Sequence, residues 1–305
     1  MGREAVFATL AGGRTRVKRR FVRVGIVFAV TLVFSGAAEA GSVPSSGVHR
    51  APEAVTRLIS EMATVRPGER LTMAIEQTLS PGWHTYWRNP GDSGEAMQVD
   101  WRLPEAAEAS AISWPVPERI AAGPIMTYGY EGTVRFLSEI SVPATWPAGK
   151  PFPVSADLLF LVCSEICIPV QASLQAAVAT GPASRADEAV KVRFRASRER
   201  LPSACPWAAA AEPDGRSIRL TLRAGGSDFP AVEDAYFFAE AWGLVEHAGT
   251  QKVMAEADKL VLTLPGRDTP YAGALSGVVA LKTVGEGNTA PSVCRIDTGI
   301  HNTES

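Results

Sequence analysis

The residues of this chain best suited to chemistry are four cysteines, and their spacing sorts them into two pairs. Cys163 and Cys167 lie four residues apart in Leu161-Val162-Cys163-Ser164-Glu165-Ile166-Cys167-Ile168-Pro169, whereas Cys205 and Cys294 are 89 positions apart. Residues four apart on an extended strand are separated by ~13 Å, and a disulfide needs Cα atoms about 4.4–6.8 Å apart. A bond between Cys163 and Cys167 therefore requires the chain to turn back, through a tight hairpin or a single helical turn. Either places the sulfurs at the end of a strand near the surface. Closing so small a loop removes little chain entropy, so stapling is a weak reason for the spacing. Exchange with an incoming thiolate suits it better, because a second sulfur close by resolves the mixed disulfide before the partner leaves. The residues alone leave three readings open: redox exchange, a structural bridge, and a Cu(I) site in which His84 or Met126 joins the two soft thiolates.

The second pair reads as a separate, structural disulfide. Cys205 precedes Pro206-Trp207, where the C-terminal part of the chain begins its first strand, and Cys294 lies in Val293-Cys294-Arg295-Ile296, its last. First and last strands are often neighbours in a sandwich, so the bridge is geometrically reasonable; two free thiols, or a bridge between chains, are the alternatives.

The elements that must position these residues are strands. Leu71, Met73 and Ile75 alternate with Thr72, Ala74 and Glu76, and the same pattern returns at Ile218, Leu220 and Leu222 and at Leu260, Leu262 and Leu264, each run having one buried and one wet face. Turn chemistry recurs between them, as in Pro81-Gly82, Asn89-Pro90-Gly91-Asp92 and Asp214-Gly215. Short strands with frequent turns predict an all-β protein, a β-sandwich followed by a second, smaller one. The interruption falls near residues 182–202, where Ser184 and Asp187 stand at capping-box spacing before Val190, Phe194 and Leu201 on one helical face. The expected organisation is a first domain over 42–182, a linker helix over 183–201, a second domain over 202–300 and a polar, disordered tail over 301–305. An edge helix within one larger fold is the alternative.

The N-terminus reads as a targeting segment. Basic residues from Arg14 to Arg23 precede an apolar run from Val24 to Phe34 and the small residues before Gly41, the pattern of a secretory signal peptide over residues 1–40. The apolar run is short of the roughly 20 residues that span a bilayer. Of the chain's 30 Lys and Arg and 32 Asp and Glu, seven and two lie in this segment, leaving 23 against 30 and a net charge of −7. That balance argues against a nucleic-acid partner. Export also puts the cysteines where disulfides persist.

Four stretches together carry a resemblance: Pro-Gly-Trp-His-Thr-Tyr-Trp-Arg-Asn-Pro-Gly-Asp-Ser-Gly (81–94), Trp-Pro-Val-Pro-Glu-Arg (114–119), Gly-Pro-Ile-Met-Thr-Tyr-Gly-Tyr-Glu-Gly (123–132) and Leu-Val-Cys-Ser-Glu-Ile-Cys-Ile-Pro (161–169). Over about residues 55–180 the chain is similar to the N-terminal periplasmic domain of the DsbD family of thiol–disulfide interchange proteins. The nearest branch is the suppressor-of-copper-sensitivity type, ScsB. A fainter similarity runs from Ala235 to His247. The resemblance implies an immunoglobulin-like fold and passage of electrons from a membrane domain to oxidised periplasmic proteins. It makes Cys167 the attacking and Cys163 the resolving sulfur. It implies a cap loop over the pair, for which the candidate is Tyr128, Gly129, Tyr130, Glu131 and Gly132; an ordinary Gly-rich turn is the plainer reading. Full-length members continue into membrane and thioredoxin-like domains, and this sequence ends at Ser305 with neither. A membrane electron donor would then act in trans on a protein whose substrates are thioredoxin-like.

Trp83, Thr85 and Trp87 point to one side of a strand and His84, Tyr86 and Arg88 to the other. The tryptophans are expected in the core. His84 reads as a surface histidine unless it faces the cysteines, and His247 has no visible partner. No Ser-His-Asp order, paired-carboxylate motif, phosphate loop or zinc spacing stands out. The expectation is a periplasmic thiol–disulfide oxidoreductase module that uses Cys163 and Cys167 and needs no cofactor, with a copper-binding protein as the alternative.

Overall fold

Alternating apolar and polar side chains build nearly all of the molecule, since a strand of period two has one face to bury. The computed structural model describes residues 47–226, 229–267, 273–283 and 292–301. The expected signal peptide and residues 302–305 of the expected tail lie outside them.

Two sheets form the first sandwich. One has five strands in the order β1 (Val48–Arg50), β2 (Ala54–Ser60), β4 (Arg70–Leu79), β10 (Thr133–Ser141) and β7 (Glu108–Ala109). The other runs β13 (Arg185–Ala186), β3 (Met62–Val65), β12 (Cys167–Thr180), β11 (Phe152–Cys163), β5 (His84–Gly91), β9 (Ile125–Glu131) and β8 (Glu118–Ala122). A further strand, β6 (Gln98–Arg102), shares with β5 the edge of β11 that β12 leaves free. Leu71, Met73 and Ile75 from β4 join Val154, Leu158 and Phe160 from β11 in one buried cluster.

The opposite face of β4, expected to be wet, is also covered. Helix α1 (Glu188–Glu199) lies on it, with Phe194 fully buried beside Ala74 and Leu137. Burying a phenylalanine contributes about 1.5–3 kcal/mol, which outweighs the weak helix preference of so charged a segment. Glu76 on the same face is held by Arg57 and Arg135. Arg198 of the helix grips Glu61 through both guanidinium nitrogens, at 2.6 and 2.5 Å, and so holds that carboxyl below its ordinary pKa. Asp187 caps the helix, accepting from the Ala189 amide at 2.9 Å. Ser184, expected to start the capping box, instead accepts from the Arg66 amide and donates to Glu69. The chain between Ser184 and Asp187 is occupied by β13, so the helix begins one motif later.

The described residues between 203 and 300 form a second, smaller sandwich of two four-stranded sheets. Their orders are β14 (Ser203–Ala204), β21 (Ser292–Gly299), β20 (Ala274–Thr283), β17 (Val232–Ala239), and β15 (Ala208–Asp214), β16 (Ser217–Arg223), β19 (Lys259–Pro265), β18 (Lys252–Ala255). Leu220 and Leu222 of β16 and Leu260, Leu262 and Leu264 of β19 are fully buried in its core. Cys205 and Cys294 are bonded, with Cα atoms 4.5 Å apart, just beyond the point where β14 runs parallel to β21. Tyr236, Phe238 and Val278 of this sandwich belong to the buried cluster of the first, so the two cores touch. Among the described residues no helix is long and apolar enough to cross a membrane.

Candidate functional site

The site stands at one end of the eight-stranded sheet. Strands β11 and β12 form a hairpin whose register closes on Cys163 opposite Cys167, with Ser164, Glu165 and Ile166 as the turn. Directly opposed residues on antiparallel strands come within bonding reach of a disulfide. Here the Cα atoms are 4.1 Å apart and the sulfurs are joined. The sequence requires the turn because Leu158, Phe160 and Val162 bury one face of β11 up to the hairpin, and Val170 and Ala172 resume on the way back.

The two sulfurs sit in unequal surroundings. Cys163 is 1% exposed, whereas Cys167 and the three turn residues are exposed, Ile166 at 64%. Cys167 is thus the more exposed residue of the pair. The register line continues from Cys163 to His84 of β5 and on to Glu131 of β9. His84 is a buried residue rather than a surface one, at 9% exposure; burial pushes its pKa down and the Glu131 carboxylate partly offsets this.

Tyr86, two residues on and on the same face, makes the closest polar approach to the disulfide. Its hydroxyl donates to Cys163 Sγ at 2.9 Å and lies 3.4 Å from Cys167 Sγ. Burial raises the phenol's pKa, so the group remains a proton donor at neutral pH. The ring is held from the other side by Gly94, at φ +101°, where a Cβ would fall well inside contact distance of ring atoms Cδ1, Cε1 and Cζ. Sequence reasoning placed Tyr86 beside His84 by alternation and gave it no role. Alternation puts Tyr86 on the face of His84, but nothing local shows that this face meets Cys163; Arg88, on the same face by alternation, pairs instead with Glu240.

The expected cap loop is corrected by the structure. Tyr128 to Glu131 are the last four residues of β9, and Gly132, at φ +63°, turns the chain into β10. Residues two apart on a strand face the same way, and here both rings point into the core at 0% exposure. Tyr130 donates to the Pro115 carbonyl at 2.7 Å, and Tyr128 meets the Tyr236 hydroxyl at 2.8 Å. Neither ring is free to cover the sulfurs, and the aromatic group that does lie on them is Tyr86. The expectation for the tryptophans agrees with the structure: Trp87 is 1% exposed and Trp83 packs against the core.

His247, without a visible partner in the sequence, is fully buried where the two sandwiches meet and lies 3.0 Å from Asp92. Among the described residues no group of three or more His, Cys, Asp or Glu side chains is arranged to hold a metal ion.

A disulfide between an exposed and a buried cysteine, with a phenol hydroxyl against both sulfurs, has the chemistry of thiol–disulfide exchange available to it. The family comparison agrees with that geometry: residues 56–179 match the model of the thiol:disulfide interchange protein DsbD, N-terminal. Over these residues the chain is similar to the DsbD N-terminal family. The crystal structure of the N-terminal periplasmic domain of ScsB from Proteus mirabilis is similar, with a TM-score of 0.64 and 20% identity, covering 84% of this chain and 98% of that one. The likeness is one of fold, an immunoglobulin-like sandwich, and at 84% coverage it extends into the second sandwich. The 35 kDa C-terminal fragment of the major pilin GBS80 of Streptococcus agalactiae (TM-score 0.27, 7% identity, 82% and 92% of the two chains) is too distant to add to this. No curated protein matches the sequence.

Proposed function

We propose that the protein exchanges disulfides with protein partners in the periplasm, Cys167 forming the mixed disulfide and Cys163 resolving it. The observation that carries the reading is the asymmetry of the pair: an exposed Cys167 bonded to a buried Cys163, with the Tyr86 hydroxyl on both sulfurs.

In the reduced pair, the Cys167 thiolate attacks a partner's disulfide, and one partner sulfur leaves as a thiolate. Cys163, once deprotonated, then attacks Cys167 Sγ; the intramolecular disulfide forms, the bond to the partner breaks, and the partner departs reduced by two electrons. Regeneration reverses this with a reducing dithiol, whose thiolate attacks Cys167 and expels Cys163 as a thiolate. Water cannot solvate charge at a sulfur that is 1% exposed, so the Tyr86 hydroxyl is the group placed to stabilise it. In this reading the reductant is a membrane protein acting in trans, the substrates are thioredoxin-like, and the chain reaches the periplasm through its N-terminal signal. Cys205 and Cys294 take no part in exchange and brace the second sandwich.

Trapping tests the proposal. A Cys163→Ser variant expressed in the periplasm lacks the resolving sulfur and should accumulate mixed disulfides between Cys167 and redox proteins, identified by mass after non-reducing separation. A variant that gathers no protein adducts, while wild type and variant are equally well folded, would count against exchange with proteins.

A further inference from the structure

Strand β5 runs from the sulfurs into the junction between the sandwiches, where its last residues and Asp92 are held by β9 of the first sandwich on one side and by the second sandwich on the other. Asn89 Nδ2 donates to the Ala239 carbonyl at 2.8 Å and approaches that of Ala241 at 3.4 Å, while its Oδ1 accepts from the Gly91 amide at 3.1 Å. The Gly91 carbonyl accepts from Trp242 Nε1 at 3.1 Å. Asp92 Oδ1 takes His247 Nδ1 at 3.0 Å and Arg267 Nη2 at 3.1 Å, and its Oδ2 accepts from the Met126 amide at 2.9 Å. Arg267 also lies over the Trp242 ring, 5.2 Å from its centroid. His247 thus sits between Asp92 at Nδ1 and Asn89, whose Nδ2 lies 3.5 Å from Nε2.

Two residues beyond this clamp comes Gly94, against which the Tyr86 ring rests. We propose that the second sandwich sets the reactivity of the Cys163–Cys167 disulfide by clamping residues 89–92, which fixes Gly94 and thereby the Tyr86 hydroxyl on the sulfurs. The inference rests on the exchange function proposed above and assigns the second sandwich a part in it. Asn89, Asp92 and Gly94 are positioning residues, and the link is a continuous set of bonded and packed groups rather than proximity alone. A clamp that merely joined two sandwiches would not need to be built on the stretch that seats Tyr86.

A double-mutant cycle separates coupling from plain bracing. Trp242 is 65% exposed, so Trp242→Ala removes one clamp bond and the Arg267 stack without opening a core. The readout is the rate at which dithiothreitol reduces Cys163–Cys167 in the full chain, with and without Tyr86→Phe, alongside the melting temperature. We expect Trp242→Ala to slow reduction by more than about twofold when Tyr86 is present, up to the roughly 13-fold ceiling set by loss of the hydroxyl itself, and by less than about twofold in the Tyr86→Phe background. Any other pattern, including equal slowing in both backgrounds or a lowered melting temperature with an unchanged rate, overturns the proposal. Because a small dithiol reports on the sulfurs whatever partners the protein has, failure of the coupling is distinguishable from failure of protein exchange, which the trapping experiment reads.

Discussion

Replacing Tyr86 by phenylalanine removes one oxygen atom and keeps the ring that fills the space over the sulfurs. The hydroxyl lies 2.9 Å from Cys163 Sγ and 3.4 Å from Cys167 Sγ, and Cys163 is too buried for water to take its place. A hydrogen bond to a charged group contributes about 1.5–3 kcal/mol, or roughly 13- to 160-fold in an equilibrium. In the transition state for attack on Cys167, only part of the charge has reached the leaving Cys163 sulfur. With about half transferred, reduction slows by about 4- to 13-fold. Stopped-flow or quenched reduction by dithiothreitol at fixed thiolate concentration measures this. The melting temperature should scarcely move, because the hydroxyl's bonds in the oxidised protein are to weakly accepting sulfurs. A rate within twofold of wild type, with the fold intact, would refute the assignment of Tyr86 to the leaving sulfur.

Gly94→Ala should slow the same reaction and also lower stability, since it meets both the Tyr86 ring and a positive φ; reduction kinetics with thermal melting read both. Cys205→Ala should destabilise the second sandwich by about 4–5 kcal/mol in the chain-entropy model while leaving reduction of Cys163–Cys167 unchanged, which urea titration and the dithiothreitol assay together check. The lowered pKa of buried His84 means that the unfolded chain binds its proton more tightly than the folded one. Its contribution is therefore fully present above the ordinary imidazole value of about 6.5 and is lost as pH falls toward the lower folded value. Denaturant titrations between pH 7.5 and 5 should show a shallower acid loss in His84→Gln than in wild type. Phe194→Ala should cost about 3–5 kcal/mol by emptying the space between α1 and the first sheet, measured in the same way.

Much of this architecture was legible because it follows from local rules. The period-two runs at Leu71–Ile75, Ile218–Leu222 and Leu260–Leu264 became buried strand faces, and of the two ways a Cys163–Cys167 bond could turn the chain back, a hairpin or a helical turn, the structure has the hairpin. What was not legible depends on contacts between distant residues. Glycines and tyrosines at 128–132 look like a loop, yet Tyr130 finds Pro115 and Tyr128 finds Tyr236, and those partners hold the segment as a strand. The pairing of His247 with Asp92 spans 155 positions and leaves no local trace. Tyr86 was visible as a neighbour of His84, but only the register of β5 against β11 brings its hydroxyl to the sulfurs.

An exchanging disulfide at Cys163–Cys167 has a measurable redox equilibrium with small thiols. The protein would be equilibrated in glutathione buffers of graded potential, quenched by alkylation and read by mass for the 163–167 segment. A reversible two-electron transition is expected at a potential above the roughly −300 mV that bounds structural disulfides, with Cys205–Cys294 still closed. A pair at 163 and 167 that stays oxidised in the most reducing buffers, in protein that remains folded, would contradict exchange.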